Sequence, residues 1–169
     1  MEQTAPGEVG AEAARAFVNA AYRSRSEDED IDHPFAVARL LQNDGQPPVL
    51  VTAGLLHDVL EDTDVSADEL RQRFGPEVTR IVEALTQDPS IPGYEERKAA
   101  LRRQILDAGS DAATVALADK AAKIGSLRSR PKGEQLEHYR ATIDGIEQRY
   151  GRRPLSERAR AELERLPPA

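Results

Sequence analysis

Apolar positions recur at helical spacing along most of the chain, and the breaks between them fall at Gly, Pro, Ser and charged clusters. After a loose tail over residues 1–10, the alanine-rich stretch 11–22 carries its apolar residues on one side and predicts a first helix. Arg23-Ser24-Arg25-Ser26 and Glu27-Asp28-Glu29-Asp30-Ile31-Asp32 then read as a charged loop. Asp32 is placed to cap a helix that has Pro34 in its early turn, runs through Val37, Leu40 and Leu41 and stops near Asn43-Asp44-Gly45. Pro47-Pro48 starts a buried helix through Leu50, Val51, Leu55, Leu56 and Val59 that ends at Thr63. Gly54 inside it costs about 1 kcal/mol relative to alanine unless close packing requires it. Ser66-Ala67-Asp68-Glu69 is a capping box for a short helix to Phe74, and Gly75-Pro76 opens another bearing Val78, Ile81, Val82 and Leu85. A proline-containing loop covers 88–93, and further helices are expected over 94–108, 111–124, 133–150 and 156–166. With no strand pattern, repeat or interdomain linker, the expectation is an all-α, single-domain helical bundle over residues 11–169.

Composition narrows this further. A chain of 169 residues, 39% hydrophobic, is long enough for one core and a buried pocket. The longest apolar runs, such as 49–56, are too short to span a bilayer, and the first ten residues lack the basic start and apolar stretch of a signal peptide. There is no cysteine, which excludes disulfides and thiolate metal sites. The chain therefore reads as cytoplasmic, with no membrane partner. A formal net charge of −7 argues against general nucleic-acid binding but leaves room for a small phosphorylated substrate met by a few local cations or a metal. No pattern sets an oligomeric state.

The chemistry concentrates in Gly54-Leu55-Leu56-His57-Asp58-Val59-Leu60-Glu61-Asp62-Thr63. On a continuous helix His57 lies one turn from Glu61 and Asp58 one turn from Asp62, so the four side chains share a sector of roughly 140°. An imidazole and three carboxylates so close are costly if dry and unpaired, and a divalent cation would offset that cost. His33 at another helix start and Asp119 on the otherwise apolar face of 115–120 complete a mixed nitrogen/oxygen set suited to Mn, Fe or Zn. Glu61 or Asp62 would then orient water or move a proton. Taken singly, each residue has a plainer reading. His33 could be a cap, Asp119 could pair with Lys120 or Lys123, and Glu61-Asp62 could be a solvated helix end.

The order His33…His57-Asp58…Asp119 resembles the HD-domain metal phosphohydrolases. The fuller motifs are similar to the hydrolase domain of stringent-response alarmone synthetase/hydrolases and to the stand-alone small alarmone hydrolases. They are His33-Pro34-Phe35-Ala36-Val37-Ala38, 53–63, Phe74-Gly75, Val82-Glu83-Ala84-Leu85-Thr86 and Leu117-Ala118-Asp119-Lys120, within a likeness covering about residues 11–150. The resemblance implies a helical bundle with one Mn²⁺ held by His33, His57, Asp58 and Asp119. It also implies an acidic pair, Glu61 and Asp62, that handles the attacking water. The implied reaction removes the 3′-pyrophosphate from guanosine tetra- or pentaphosphate. Candidate substrate contacts are Arg23, Arg25, Lys120 and Lys123. The chain departs from the pattern at Lys123, where the family usually has asparagine, in Ala121-Ala122-Lys123-Ile124, and in the loop 27–32, which is acidic at five of six positions. Lys123 could grip a phosphate, pair with Glu61 or block the usual nucleoside pose. These departures keep two alternatives open: an HD-type phosphohydrolase for another nucleotide, such as a nucleoside monophosphate, and a catalytically quiet HD-like regulator binding a nucleotide or protein. Arg97, Lys98, Arg102 and Arg103 read mainly as a solvated face, Tyr94 as a helix anchor or base-stacking ring, and His138 as a structural residue.

Overall fold

The computed structural model describes residues 6–23 and 31–167, the side chains of 6–9 excepted. Those residues form nine α-helices and no strand: α1 (Pro6–Arg23), α2 (Asp32–Asn43), α3 (Pro48–Leu56), α4 (Val59–Asp62), α5 (Ala67–Leu85), α6 (Tyr94–Ala108), α7 (Ser110–Ser126), α8 (Gly133–Tyr150) and α9 (Pro154–Glu164). Two helices are interior. Every residue of α3 from Leu50 to Leu56 is buried, and α7 buries Ala112 through Ala118 together with Ala121 and Ile124. A helix apolar on all sides gains most by being surrounded. Accordingly α3 packs against α1, α2, α5 and α7, while α7 also contacts α2, α5, α6, α8 and α9. The small side chains of α7 let neighbouring helices approach closely, so the one charged pair it carries inward, Asp119-Lys120, is reached from several elements. No helix among the described residues is long and apolar enough to cross a membrane.

Gly54 is where α2 and α3 touch. A Cβ there would lie 2.5 Å from Leu41 Cδ1 and 3.2 Å from Val37 Cγ1, both side chains fully buried. Close packing thus accounts for a glycine inside a helix. Gly54→Ala is expected to destabilise by about 1–3 kcal/mol despite alanine's better helix propensity, because the core must shift to admit the methyl. Denaturant unfolding would show it; a variant as stable as the native chain would mean that α2 yields freely.

Several boundaries differ from the sequence pattern; the last helix, for one, runs from Pro154 to Glu164 rather than over 156–166. The first helix starts at Pro6 rather than Ala11, since proline suits a first helical turn; a Cβ on Gly10 would lie 3.5 Å from Thr52 Oγ1 of α3. Asp32 is not a cap: it is the first residue of α2, the N-cap position belongs to Ile31, and no side chain caps that end. An acidic residue in a first turn still favours the positive end of the helix dipole. Most consequential, the single helix expected through Thr63 is broken. α3 stops at Leu56, and Asp58 takes φ −99°, ψ −5° before α4 begins. In an unbroken helix the Gly54 carbonyl would accept from Asp58 N–H; here His57 Nδ1 binds that carbonyl at 2.7 Å. Elsewhere the local signals hold. Ser66 accepts from Glu69 N–H at 3.2 Å, and Gly75, at φ 86°, kinks α5 where the sequence predicts one helix ending and another opening.

Candidate metal centre and pocket

The break between α3 and α4 aims His57 and Asp58 at the start of α2 and the middle of α7. His33 Nε2 lies 2.9 Å from Asp119 Oδ1 and 4.0 Å from Asp58 Oδ2; His57 Nε2 lies 3.1 Å from Asp58 Oδ2 and 3.4 Å from Asp119 Oδ1. Three segments far apart in sequence therefore converge four donor atoms, and one atom of each of His33, His57 and Asp58 lies within 4.8 Å of the others. A carbonyl can only accept, so the bond to Gly54 places hydrogen on His57 Nδ1. His57 Nε2 is buried without a hydrogen-bond partner. An orphaned imidazole nitrogen facing two carboxylates calls for positive charge, from a proton or a metal ion. Burial alone would lower the His57 imidazole, but Asp58 and Asp119 overcome it and hold it well above its ordinary value. Donor bonds of about 2.0–2.2 Å put neighbouring ligand atoms roughly 3–3.5 Å apart and opposed ones about 4.2 Å apart. The observed spacings fall in that range, so the residues present fit a divalent ion, with His57 Nδ1 bound to the backbone as ligating histidines usually are.

Asp119 is oriented from behind. Lys120 Nζ sits 2.6 Å from its Oδ2, leaving Oδ1 to the imidazoles. Burial would raise the Asp119 carboxyl, but Lys120, the His33 hydrogen bond and the nearby His57 imidazole keep it well below the usual range. Lys120 is itself largely buried, with its ammonium 5.8 Å from the centre of the Tyr139 ring.

The acidic pair has partners of its own. Glu61 accepts from Gln87 N–H at 2.7 Å, and Asp62, whose own N–H donates to the Asp58 carbonyl one turn back, accepts from the Tyr22 hydroxyl of α1 at 2.9 Å. Glu61 remains in the wall of a pocket of about 210 Å³ that opens beside His57, Asp58 and Asp119. Desolvation raises its carboxyl above the ordinary value, with Asp58 and Asp62 adding to the rise and the Gln87 hydrogen bond and Lys98 opposing it.

The rest of the lining is largely cationic and aromatic: Tyr94 and Lys98 from α6, Lys120 and Lys123 from α7, and Gln135, His138 and Tyr139 from α8. Lys123 is exposed at the rim and, among the described residues, pairs with neither Glu61 nor Asp119. Arg23 is exposed at the end of α1, while Arg25 and the acidic stretch 27–30 lie outside the described residues. The basic residues of α6 are sorted by packing. Arg97 donates to the Ile91 and Pro92 carbonyls and Arg102 to Glu95, whereas Lys98 reaches the pocket and donates to Gln87 Oε1 at 2.9 Å. Sequence reasoning gave no role to Gln135 or Tyr139 and little to His138; their shared helical face was the available signal.

A family model for the HD domain matches residues 11–144. The guanosine-3′,5′-bis(diphosphate) 3′-pyrophosphohydrolase MESH1 of Homo sapiens is 38% identical over 106 residues, 61% of this chain and 59% of that protein. A probable guanosine-3′,5′-bis(diphosphate) 3′-pyrophosphohydrolase of Synechocystis sp. is 33% identical over 132 residues, 75% of this chain and 17% of that protein. The chain thus spans about three-fifths of the length of the MESH1 proteins it matches. Among solved structures, a metazoan ortholog of SpoT, described as hydrolysing ppGpp, shares the fold with a TM-score of 0.78 over 97% of both chains at 19% identity. A protein from Listeria monocytogenes EGD-e matches with a TM-score of 0.64 and 29% identity over 77% of this chain and 90% of that one.

Proposed function

Because the chain belongs to the HD-domain family, we propose that it is a metal-dependent phosphohydrolase removing the 3′-pyrophosphate from guanosine 3′,5′-bis(diphosphate). The observation that carries this reading is the convergence of four imidazole and carboxylate donors, three of which line a pocket that Lys98, Lys120 and Lys123 also line. The named activity of the relatives supports the choice of substrate. His33, His57, Asp58 and Asp119 would hold the ion, and Mn²⁺ suits their mixed nitrogen/oxygen donors. When bound, such an ion lowers the pKa of water and polarises a phosphate oxygen.

The protein groups divide the remaining work. Glu61 takes a proton from the attacking water as oxygen bonds to the 3′-attached phosphorus; the ester bond to the 3′-oxygen breaks and that oxygen takes up a proton from solvent, leaving GDP and pyrophosphate. Tyr22 fixes Asp62, the other member of the acidic pair, against α1. Lys120 keeps Asp119 turned inward. Lys98 and Lys123 balance phosphate charge, with Arg23 and Arg25 at the approach. A net charge of −7 suits a small nucleotide rather than nucleic acid, and a cytoplasmic location agrees with the absence of cysteine.

The test is pyrophosphate release from guanosine 3′,5′-bis(diphosphate) with Mn²⁺, native chain against Glu61→Gln. The variant should keep its metal and lose about 10²–10⁴ in turnover. A base must be deprotonated to act, and the Glu61 carboxyl is raised. The native rate should therefore fall toward acid from above the ordinary carboxylate range, and the variant should lack that limb. Native turnover in the variant would remove Glu61 from the mechanism. Lys123, unpaired at the rim among the described residues, favours a second reading: a different nucleotide, such as a nucleoside monophosphate. Phosphate release from a monophosphate with none from the bis(diphosphate) would establish it.

A further inference from the structure

His138 is 3% exposed yet lines the same pocket as His57, Asp58 and Asp119. Its Nδ1 lies 3.0 Å from Arg102 Nη1. A guanidinium has only hydrogens to offer, so Nδ1 must be the bare, accepting nitrogen and the ring hydrogen must sit on Nε2. Arg102 is held in turn by Glu95 at 2.8 Å, which fixes the direction of the donor. Among the described residues Nε2 has no hydrogen-bond partner and is not sealed from solvent, and the residue lines the pocket. We propose that His138 is a substrate-binding residue that presents an Nε2–H donor to a phosphate oxygen, locked in that tautomer by Arg102.

The surroundings select the ligand and silence the ring. Tyr94, Lys98 and Arg102 face it from α6, Asp119 and Lys120 from α7, and Gln135 and Tyr139 from its own helix. Burial, then Lys120, Lys98 and Arg102, lower the imidazole to about 3. An acceptor that enters beside two ammonium groups is anionic, and a phosphate oxygen meets both the charge and the N–H. His138 therefore neither gains nor gives up a proton during turnover; it confers affinity and orientation. The assignment of the ligand as a phosphate rests on the proposed function, whereas the tautomer rests on Arg102 alone.

Two substitutions separate the halves of the ring. His138→Asn keeps an acceptor near Nδ1 for Arg102 and removes the pocket donor; His138→Gln keeps an N–H near Nε2 and gives up the Arg102 acceptor. With guanosine 3′,5′-bis(diphosphate), His138→Asn should raise KM by about tenfold to a hundredfold with little change in kcat, as expected for losing a hydrogen bond to a charged group. His138→Gln should recover much of that loss. Nitrogen-detected imidazole spectra of the Zn²⁺-loaded chain, a diamagnetic form with three histidines to assign, give a readout free of turnover. His138 should show the Nε2–H tautomer, stay neutral from about pH 5 to 8, and shift on addition of inorganic pyrophosphate, which His138→Asn should bind about tenfold or more weakly. An Nδ1–H tautomer, a titration within that window, or equal pyrophosphate affinity in His138→Asn overturns the proposal. If the native chain does not hydrolyse the bis(diphosphate), the proposed function fails and the spectra and pyrophosphate affinities still decide His138. If it does, and His138→Asn leaves KM unchanged, His138 fails alone.

Discussion

Asp58→Ala is expected to strip the metal from the centre and lower turnover by roughly a thousandfold or more while leaving the fold intact. The side chain carries the chemistry and the backbone carries the turn. Asp58 Oδ2 lies 3.1 Å from the orphaned Nε2 of His57 and 4.0 Å from His33 Nε2, so its loss removes one ligand and half of the carboxylate charge facing the imidazoles. A bound ion contributes several kcal/mol of transition-state stabilisation, and each 1.36 kcal/mol is about tenfold in rate. The start of α4 depends instead on the Asp58 carbonyl, which accepts from Glu61 and Asp62 N–H at 3.1 and 2.9 Å and survives the substitution. The carboxylate is 29% exposed and makes no helix cap, so alanine leaves little unsatisfied. Elemental analysis, pyrophosphate release and thermal unfolding would be read together. Stoichiometric metal with native turnover in the variant would sink the assignment of the centre.

Asp119→Ala should behave differently, losing metal and also about 3–5 kcal/mol of stability. Lys120 Nζ lies 2.6 Å from Asp119 Oδ2, and the two side chains are 11% and 14% exposed. Burial by itself would lower the Lys120 ammonium, and the Asp119 carboxylate more than reverses that. Removing the carboxylate leaves a largely buried cation facing the Tyr139 ring and the more distant Asp58, which do not replace a contact ion pair. Replacing both partners, as in Asp119→Ala with Lys120→Met, should restore most of the stability because no charge is stranded, yet it should not restore metal binding. Denaturant unfolding of metal-free protein isolates this effect, since metal binding would add its own linkage. A single variant within about 1 kcal/mol of native would show that Lys120 finds water or another partner.

The contrast between these two aspartates was not legible in the sequence, although both positions were. His33, His57, Asp58 and Asp119 stood out because each places a polar group within or beside an apolar helical face. Ser66 at the start of α5 and Gly75-Pro76 at its kink were equally plain, because capping and left-handed backbone are properties of a few consecutive residues. The continuous helix expected through Thr63 was an error of the same local kind of reasoning: periodicity carried the helix on, while the His57 side chain took the carbonyl at which it would have continued. The partners of the acidic pair, Gln87 for Glu61 and Tyr22 for Asp62, come from elsewhere in the chain and had no local signal.

Taken alone, then, the sequence determined an all-helical bundle, the order of its helices and the residue types able to hold a divalent ion, since hydrophobic spacing, caps and breakers act over one or two turns. Tertiary structure decided which groups meet. Lys98 and not Arg97 faces the pocket, Lys120 and not Lys123 holds Asp119, and Arg102 sets the tautomer of His138. Those choices depend on how helices distant in sequence cross and rotate about one another, and that rotation is set by packing the whole core rather than by any one segment's period.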